Sequence, residues 1–137
     1  MILVDTGAMV ALLDAGDRHH GVVRALYEDN PDGWILPAVI LPVVDYLITK
    51  YLGSKAAETF LADLADGAFS IEWGNDGDLA AAQQICARYR SLHIGLVDGV
   101  VVAMAQRLKA DAIATLDLRH FGAVSIKGSP RILPRDS

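Results

Sequence analysis

Apolar residues in this chain come in two patterns, short continuous runs and stripes of helical period. Ile2-Leu3-Val4 is a continuous run suited to a central strand buried on both faces. Ala8 to Leu13 reads as a short helix. Asp17 can cap a polar helix through Asp29, and Asn30-Pro31-Asp32-Gly33 is a turn cluster. Trp34-Ile35-Leu36 reads as a second strand. Pro37 or Pro42 suits the first turn of the following helix, which runs to about Leu52 and is closed by Gly53.

Ser54 is placed to cap the next helix, whose Ala57, Phe60, Leu61 and Leu64 form one stripe, with Gly67 closing it. Phe69 to Trp73 reads as a strand. The turn from Asn75 to Asp78 starts a helix carrying Leu79, Ala82, Ile85, Cys86 and Tyr89 on one face. A helix from Leu96 to Lys109 precedes a strand from Ala112 to Leu116 that ends in Asp117. Short strands near Val124 and Ile132 complete the expected set.

Strands alternating with helices predict an α/β domain, a mostly parallel sheet covered on both faces. Residues 1–137 show no repeat, linker or low-complexity segment, so a single domain is expected. In open parallel sheets the reactive site lies at the carboxyl ends of the strands. Asp5 and Asp117 both stand there, although each also suits a helix N-cap.

Composition adds bounds. At 137 residues, 53% hydrophobic and 21% charged, the chain can build a substantial core and is not disordered. The apolar share points to a buried partner surface. No secretory pattern opens the chain, and the longest apolar runs, about ten residues, are too short to span a bilayer, so a cytoplasmic protein without membrane contact is expected. The single cysteine, Cys86, rules out an internal disulfide, and no Cys/His set has zinc spacing. A net charge of −5 argues against nucleic-acid binding. Acids gathered round a metal weaken that argument, as does the basic tail of Arg119, Lys127, Arg131 and Arg135.

Asp98 is the most informative acid. On the helix from Leu96 it shares a face with Val101, Val102, Ala105 and Leu108, with no cation nearby in sequence. A carboxylate on a packed face is costly unless paired or bound to metal. Its place near the helix start offsets part of that cost. Asp5, Asp98 and Asp117 together suit Mg²⁺ or Mn²⁺, which take oxygen ligands and leave positions for water and phosphate oxygens. Such a metal lowers the pKa of bound water and steadies charge on a phosphodiester. Thr6 is placed to hydrogen-bond that water or a ligand carboxylate.

Four ordered segments carry a family resemblance: Ile2-Leu3-Val4-Asp5-Thr6-Gly7-Ala8, Leu41 to Leu47, Ile94-Gly95-Leu96-Val97-Asp98, and Thr115-Leu116-Asp117-Leu118-Arg119-His120-Phe121. The set resembles PIN domains, specifically the toxin ribonucleases of VapBC toxin–antitoxin pairs. That resemblance implies a three-layer α/β/α fold and Mg²⁺- or Mn²⁺-dependent cleavage of structured RNA of the tRNA or rRNA class. It also implies a small cognate antitoxin and a toxin homodimer. The family's first acid falls on Asp5 with its hydroxyl neighbour on Thr6, the third on Asp98 and the fourth on Asp117.

The second acid is absent. With Asp45-Tyr46-Leu47 in register, the family's catalytic Glu position holds Val43. Asp45 does not replace it, because two residues along a helix turn a side chain by about 200°. Weak activity with three acids, a catalytically silent PIN module that still binds antitoxin or RNA, and a substitution introduced or selected because the active toxin harms its host all remain open. A phosphatase using Asp5 as nucleophile is disfavoured, since Gly7 stands where a second Asp is wanted. His19 and His20 read as a solvated helix face, and His93 and His120 are placed to touch RNA but read more simply as ordinary polar residues. Arg119 and His120 gain interest from adjoining Asp117 and are placed to orient a phosphate. Trp34 and Trp73 read as core.

Overall fold

The computed structural model describes Met1–Ser137. Its elements run β1 (Ile2–Val4), α1 (Thr6–Leu13), α2 (His20–Asp29), β2 (Trp34–Pro37), α3 (Leu41–Leu52), α4 (Ser54–Ala65), β3 (Ser70–Glu72), α5 (Asp76–Arg88), α6 (Leu96–Leu108), β4 (Ala112–Ala114), α7 (Leu118–Phe121) and β5 (Arg131–Leu133). The five strands are all parallel, in the order β3-β2-β1-β4-β5. β1 lies at the centre, with Leu3 beside both Ile35 and Ile113. Leu3 and Val4 point to opposite faces of the sheet, and both are fully buried. Helices therefore cover both faces, giving a three-layer α/β/α sandwich. No helix is long and apolar enough to cross a membrane.

Two devices set the helices that matter for the site. A Cβ on Gly99 would come within 2.9 Å of Cys86 Sγ, so the missing side chain lets α6 pack closely on α5. Asn75 and Asp78 form a reciprocal capping box at the start of α5. Asp78, almost wholly buried, takes two further hydrogen bonds from Arg107 of α6 at 2.8 and 2.9 Å. Those donors hold its carboxyl below the usual carboxylate range.

Several expectations change at element ends. α1 begins at Thr6 and β4 stops at Ala114. Asp17 does not cap α2; its carboxylate accepts the His19 N–H at 2.8 Å, one turn before the helix. Ser54 is already helical, and Gly53, at φ +96°, makes the corner between α3 and α4. No strand forms near Val124, which is buried in irregular chain. Trp34 is core as expected, but Trp73 is 74% exposed. It lies just past the end of β3, an edge strand, where no neighbour covers it. Leu61 and Leu79 are likewise exposed instead of packed.

Candidate active site

Strand order reverses around β1, with β2 and β3 on one side and β4 and β5 on the other. The crevice beyond the carboxyl ends of β1 and β4 is thus the switch point where open α/β sheets bind ligands. Asp5 leaves β1 there, its N–H donating to Ala114 O at 2.9 Å. Thr115 leaves β4 alongside it, completely buried. Asp98 reaches the same place from the first turn of α6.

These residues form one hydrogen-bonded chain. Thr115 Oγ1 donates to Asp5 Oδ2 at 3.0 Å and accepts the Asp117 N–H at 3.0 Å. Asp117 Oδ1 accepts the His120 N–H at 3.2 Å, capping the short α7. His120 Nδ1 lies 2.7 Å from Asp98 Oδ2 and 3.2 Å from Asp117 Oδ2. Phe121, buried in the core, anchors α7 beneath this network. Within it Thr115 is fully buried and Asp5 nearly so, while the Asp117 side chain is 38% exposed.

Burial pushes the Asp5 carboxyl up to about 6, and the charges of Asp98 and Asp117 push in the same direction. The Thr6 N–H and the Thr115 hydroxyl offset part of this. No cationic side chain pairs with Asp5. A buried carboxylate in that state is stabilised by a divalent cation. The carboxylates of Asp5, Asp98 and Asp117 line one groove and are the hard-oxygen kind of donor that Mg²⁺ or Mn²⁺ prefers. Carboxylate oxygens of Asp98 and Asp117 lie within 4.8 Å of each other. The residues present fit such an ion.

An open groove of about 580 Å³ lies over the cluster, lined by Asp5, Thr6, Gly7, Val43, Val97, Asp98, Leu116, Asp117 and Arg119. All four residues singled out for the site from sequence, Asp5, Thr6, Asp98 and Asp117, meet in it. Val43 faces it too. Asp45 is exposed on another side of α3 and lines a separate apolar hollow with Phe60, Leu61 and Trp73. The sequence reading missed two residues. Thr115 supplies the hydroxyl that bonds a carboxylate, a role expected of Thr6; its position two before Asp117, suited to a side-chain turn, was the available signal. His120, read from sequence as an ordinary polar residue or as one placed to orient a phosphate, is the partner that Asp98 lacked in sequence. Its spacing of three from Asp117 was the signal there.

Residues 2–127 match the PIN domain family model. The chain is 29% identical over 130 residues to ribonuclease VapC26 of Mycobacterium tuberculosis, spanning 95% of this chain and 96% of that one. Among solved structures it is similar to VapC20 of Mycobacterium tuberculosis, a sarcin–ricin-loop-cleaving toxin. The TM-score is 0.75 at 22% identity, covering 82% of this chain and 87% of the other. FitAcB of Neisseria gonorrhoeae aligns with TM-score 0.65 at 18% identity, over 96% of both chains.

Proposed function

This chain belongs to the PIN domain family, and on that premise we propose that it is the toxin of a VapBC-type toxin–antitoxin pair, a Mg²⁺- or Mn²⁺-dependent endoribonuclease. The observation that carries this reading is the convergence of Asp5, Asp98 and Asp117 on one groove, with Asp5 buried and lacking a protein cation. Asp5, Asp98 and Asp117 hold the ion. When bound, it supplies water activation and positive charge beside the scissile phosphodiester. Thr115 and His120 orient the carboxylates through the hydrogen bonds already described. Thr6 lines the groove next to Asp5. Arg119, the one basic side chain lining the groove and free of any ion pair, meets a substrate phosphate.

Structured RNA of the tRNA or rRNA class is the substrate this reading assigns. The ribonuclease name of VapC26 and the sarcin–ricin-loop activity stated for VapC20 support that class. The apolar hollow between α3 and α4, with Leu61 and Trp73 exposed at its edge, suits a protein partner. A cognate antitoxin and a second copy of the toxin are the partners assigned here, in the cytoplasm.

A second reading, a catalytically silent PIN module that binds antitoxin or RNA, is favoured by one observation. Val43 puts an apolar side chain where the family resemblance calls for a carboxylate. Thermal denaturation with and without Mn²⁺, together with cleavage of total RNA, separates the two. The nuclease is stabilised by Mn²⁺ and cuts RNA, and Asp98→Asn loses both effects. A wild-type chain that Mn²⁺ neither stabilises nor activates is the silent module.

A further inference from the structure

We propose that His120 is a positioning residue of the carboxylate cluster, which holds Asp98 through its ring Nδ1–H and Asp117 through its backbone N–H and so fixes the orientation in which they meet a cation. This inference rests on the metal-centre reading above. Nδ1 stands 2.7 Å from Asp98 Oδ2 and 3.2 Å from Asp117 Oδ2. Ionised carboxylates only accept hydrogen bonds, so Nδ1 carries a proton whether the ring is neutral or charged. A protonated nitrogen does not ligate a metal. The role is therefore to hold ligands, as groups behind metal ligands commonly do.

The ring is well placed for that work. Its side chain is only 13% exposed, and α7 is tied down on both sides of it. Asp117 Oδ1 caps α7 by accepting the His120 N–H, while Phe121 is buried in the core. Asp117 Oδ1 thus takes its donor from the His120 backbone, and its Oδ2 lies 3.2 Å from the ring Nδ1. Asp98 has Oδ2 engaged by the ring and keeps Oδ1 without a protein donor. Asp98 and Asp117 come from different elements, α6 and the turn after β4, and their like charges repel. One residue that donates to both, from its ring to Asp98 and from its backbone to Asp117, offsets that repulsion and fixes the distance between them.

Side-chain geometry supplies the test. The amide nitrogen of Asn falls where Nδ1 of His lies, whereas that of Gln falls nearer Nε2. Mn²⁺ affinity is measured by calorimetry on the full chain for wild type, His120→Asn, His120→Gln and His120→Ala, with melting temperatures in EDTA recorded for each. The Ala and Gln variants are expected to bind Mn²⁺ about tenfold or more weakly, while Asn keeps most of the affinity. Unchanged binding in His120→Ala overturns the role, as does an Asn variant no better than Gln. A histidine nitrogen coupled directly to bound Mn²⁺ in pulsed electron paramagnetic resonance also overturns it, by making His120 a ligand. Wild type that binds no Mn²⁺ removes the metal centre itself, whereas wild-type binding with an indifferent His120→Ala removes only the part assigned to His120.

Discussion

Thr115 Oγ1 donates to Asp5 Oδ2 at 3.0 Å across 110 residues of sequence, and its lone pair receives the Asp117 N–H at the same distance. One buried hydroxyl thereby ties the ends of β1 and β4 and orients two acids. Thr115→Val keeps the shape and removes both bonds, leaving a buried carboxylate and an amide short of a partner. The expected loss is about 1–3 kcal/mol of stability in urea denaturation, with weaker Mn²⁺ binding. Thr115→Ser, which retains the hydroxyl, stays near wild type. A Val variant as stable as wild type would show that the bond contributes nothing net.

Asp5 sets the pH behaviour of the metal-free protein. Its carboxyl is raised from 3.8 to about 6 by burial and by its acidic neighbours, so the folded state binds the proton more tightly than the unfolded chain. Stability from this group is full below about 4 and is lost as pH rises toward about 6. The difference is about 3 kcal/mol. Asp5→Asn never ionises, so in EDTA its stability relative to wild type grows by that order between pH 4 and pH 7. Saturating Mn²⁺ reverses the ranking at pH 7, because the ion stabilises only the carboxylate form. Parallel pH profiles for the two proteins in EDTA would refute the shift.

The parts of this site legible in sequence are those written locally. Ile2-Leu3-Val4 is a continuous apolar run, and the acid after it falls at the carboxyl end of the central strand. Asp98 stands out because it interrupts a packed helical face. His120 pairs with Asp98 across 22 residues and two elements, and no periodicity encodes such a meeting. Trp73 shows a different limit. Hydrophobic pattern identifies a strand from Phe69 onward but not that β3 is an edge strand ending at Glu72, which leaves the indole in the open. Val124 is buried as its apolar neighbourhood suggests, yet without strand pairing, because core burial does not require a ladder.

Arg119 faces a groove otherwise lined by acids and small or apolar groups. Without a cation, that surface repels a phosphate backbone; with the ion bound, Arg119 adds the remaining positive charge. Arg119→Gln is expected to weaken RNA binding in Mn²⁺ and to lower the slope of log affinity against log salt by about 1. Stability in EDTA stays within about 0.5 kcal/mol, since the side chain is exposed and unpaired. An unchanged salt slope would place the RNA elsewhere on the surface.

Val43 holds the most direct test of what this groove does. It sits in the first turn of α3 and lines the groove with Asp5, Asp98 and Asp117, while Asp45 is turned away into the hollow beside Phe60. A carboxylate at position 43 would be the fourth acid of the cluster. Without metal, Val43→Glu adds repulsion to an already strained set and lowers stability by about 1–2 kcal/mol at pH 7. With Mn²⁺ the added ligand tightens binding, so the melting temperature of Val43→Glu rises more on Mn²⁺ addition than that of wild type. Cleavage of total RNA by the variant is expected to exceed wild type by at least about 100-fold, the usual scale for restoring a positioned catalytic group. Asp45→Ala, changed in parallel, leaves both readouts alone. Equal cleavage by Val43 and Val43→Glu, at equal Mn²⁺ occupancy, would mean that three acids suffice and that the missing carboxylate has no bearing on activity.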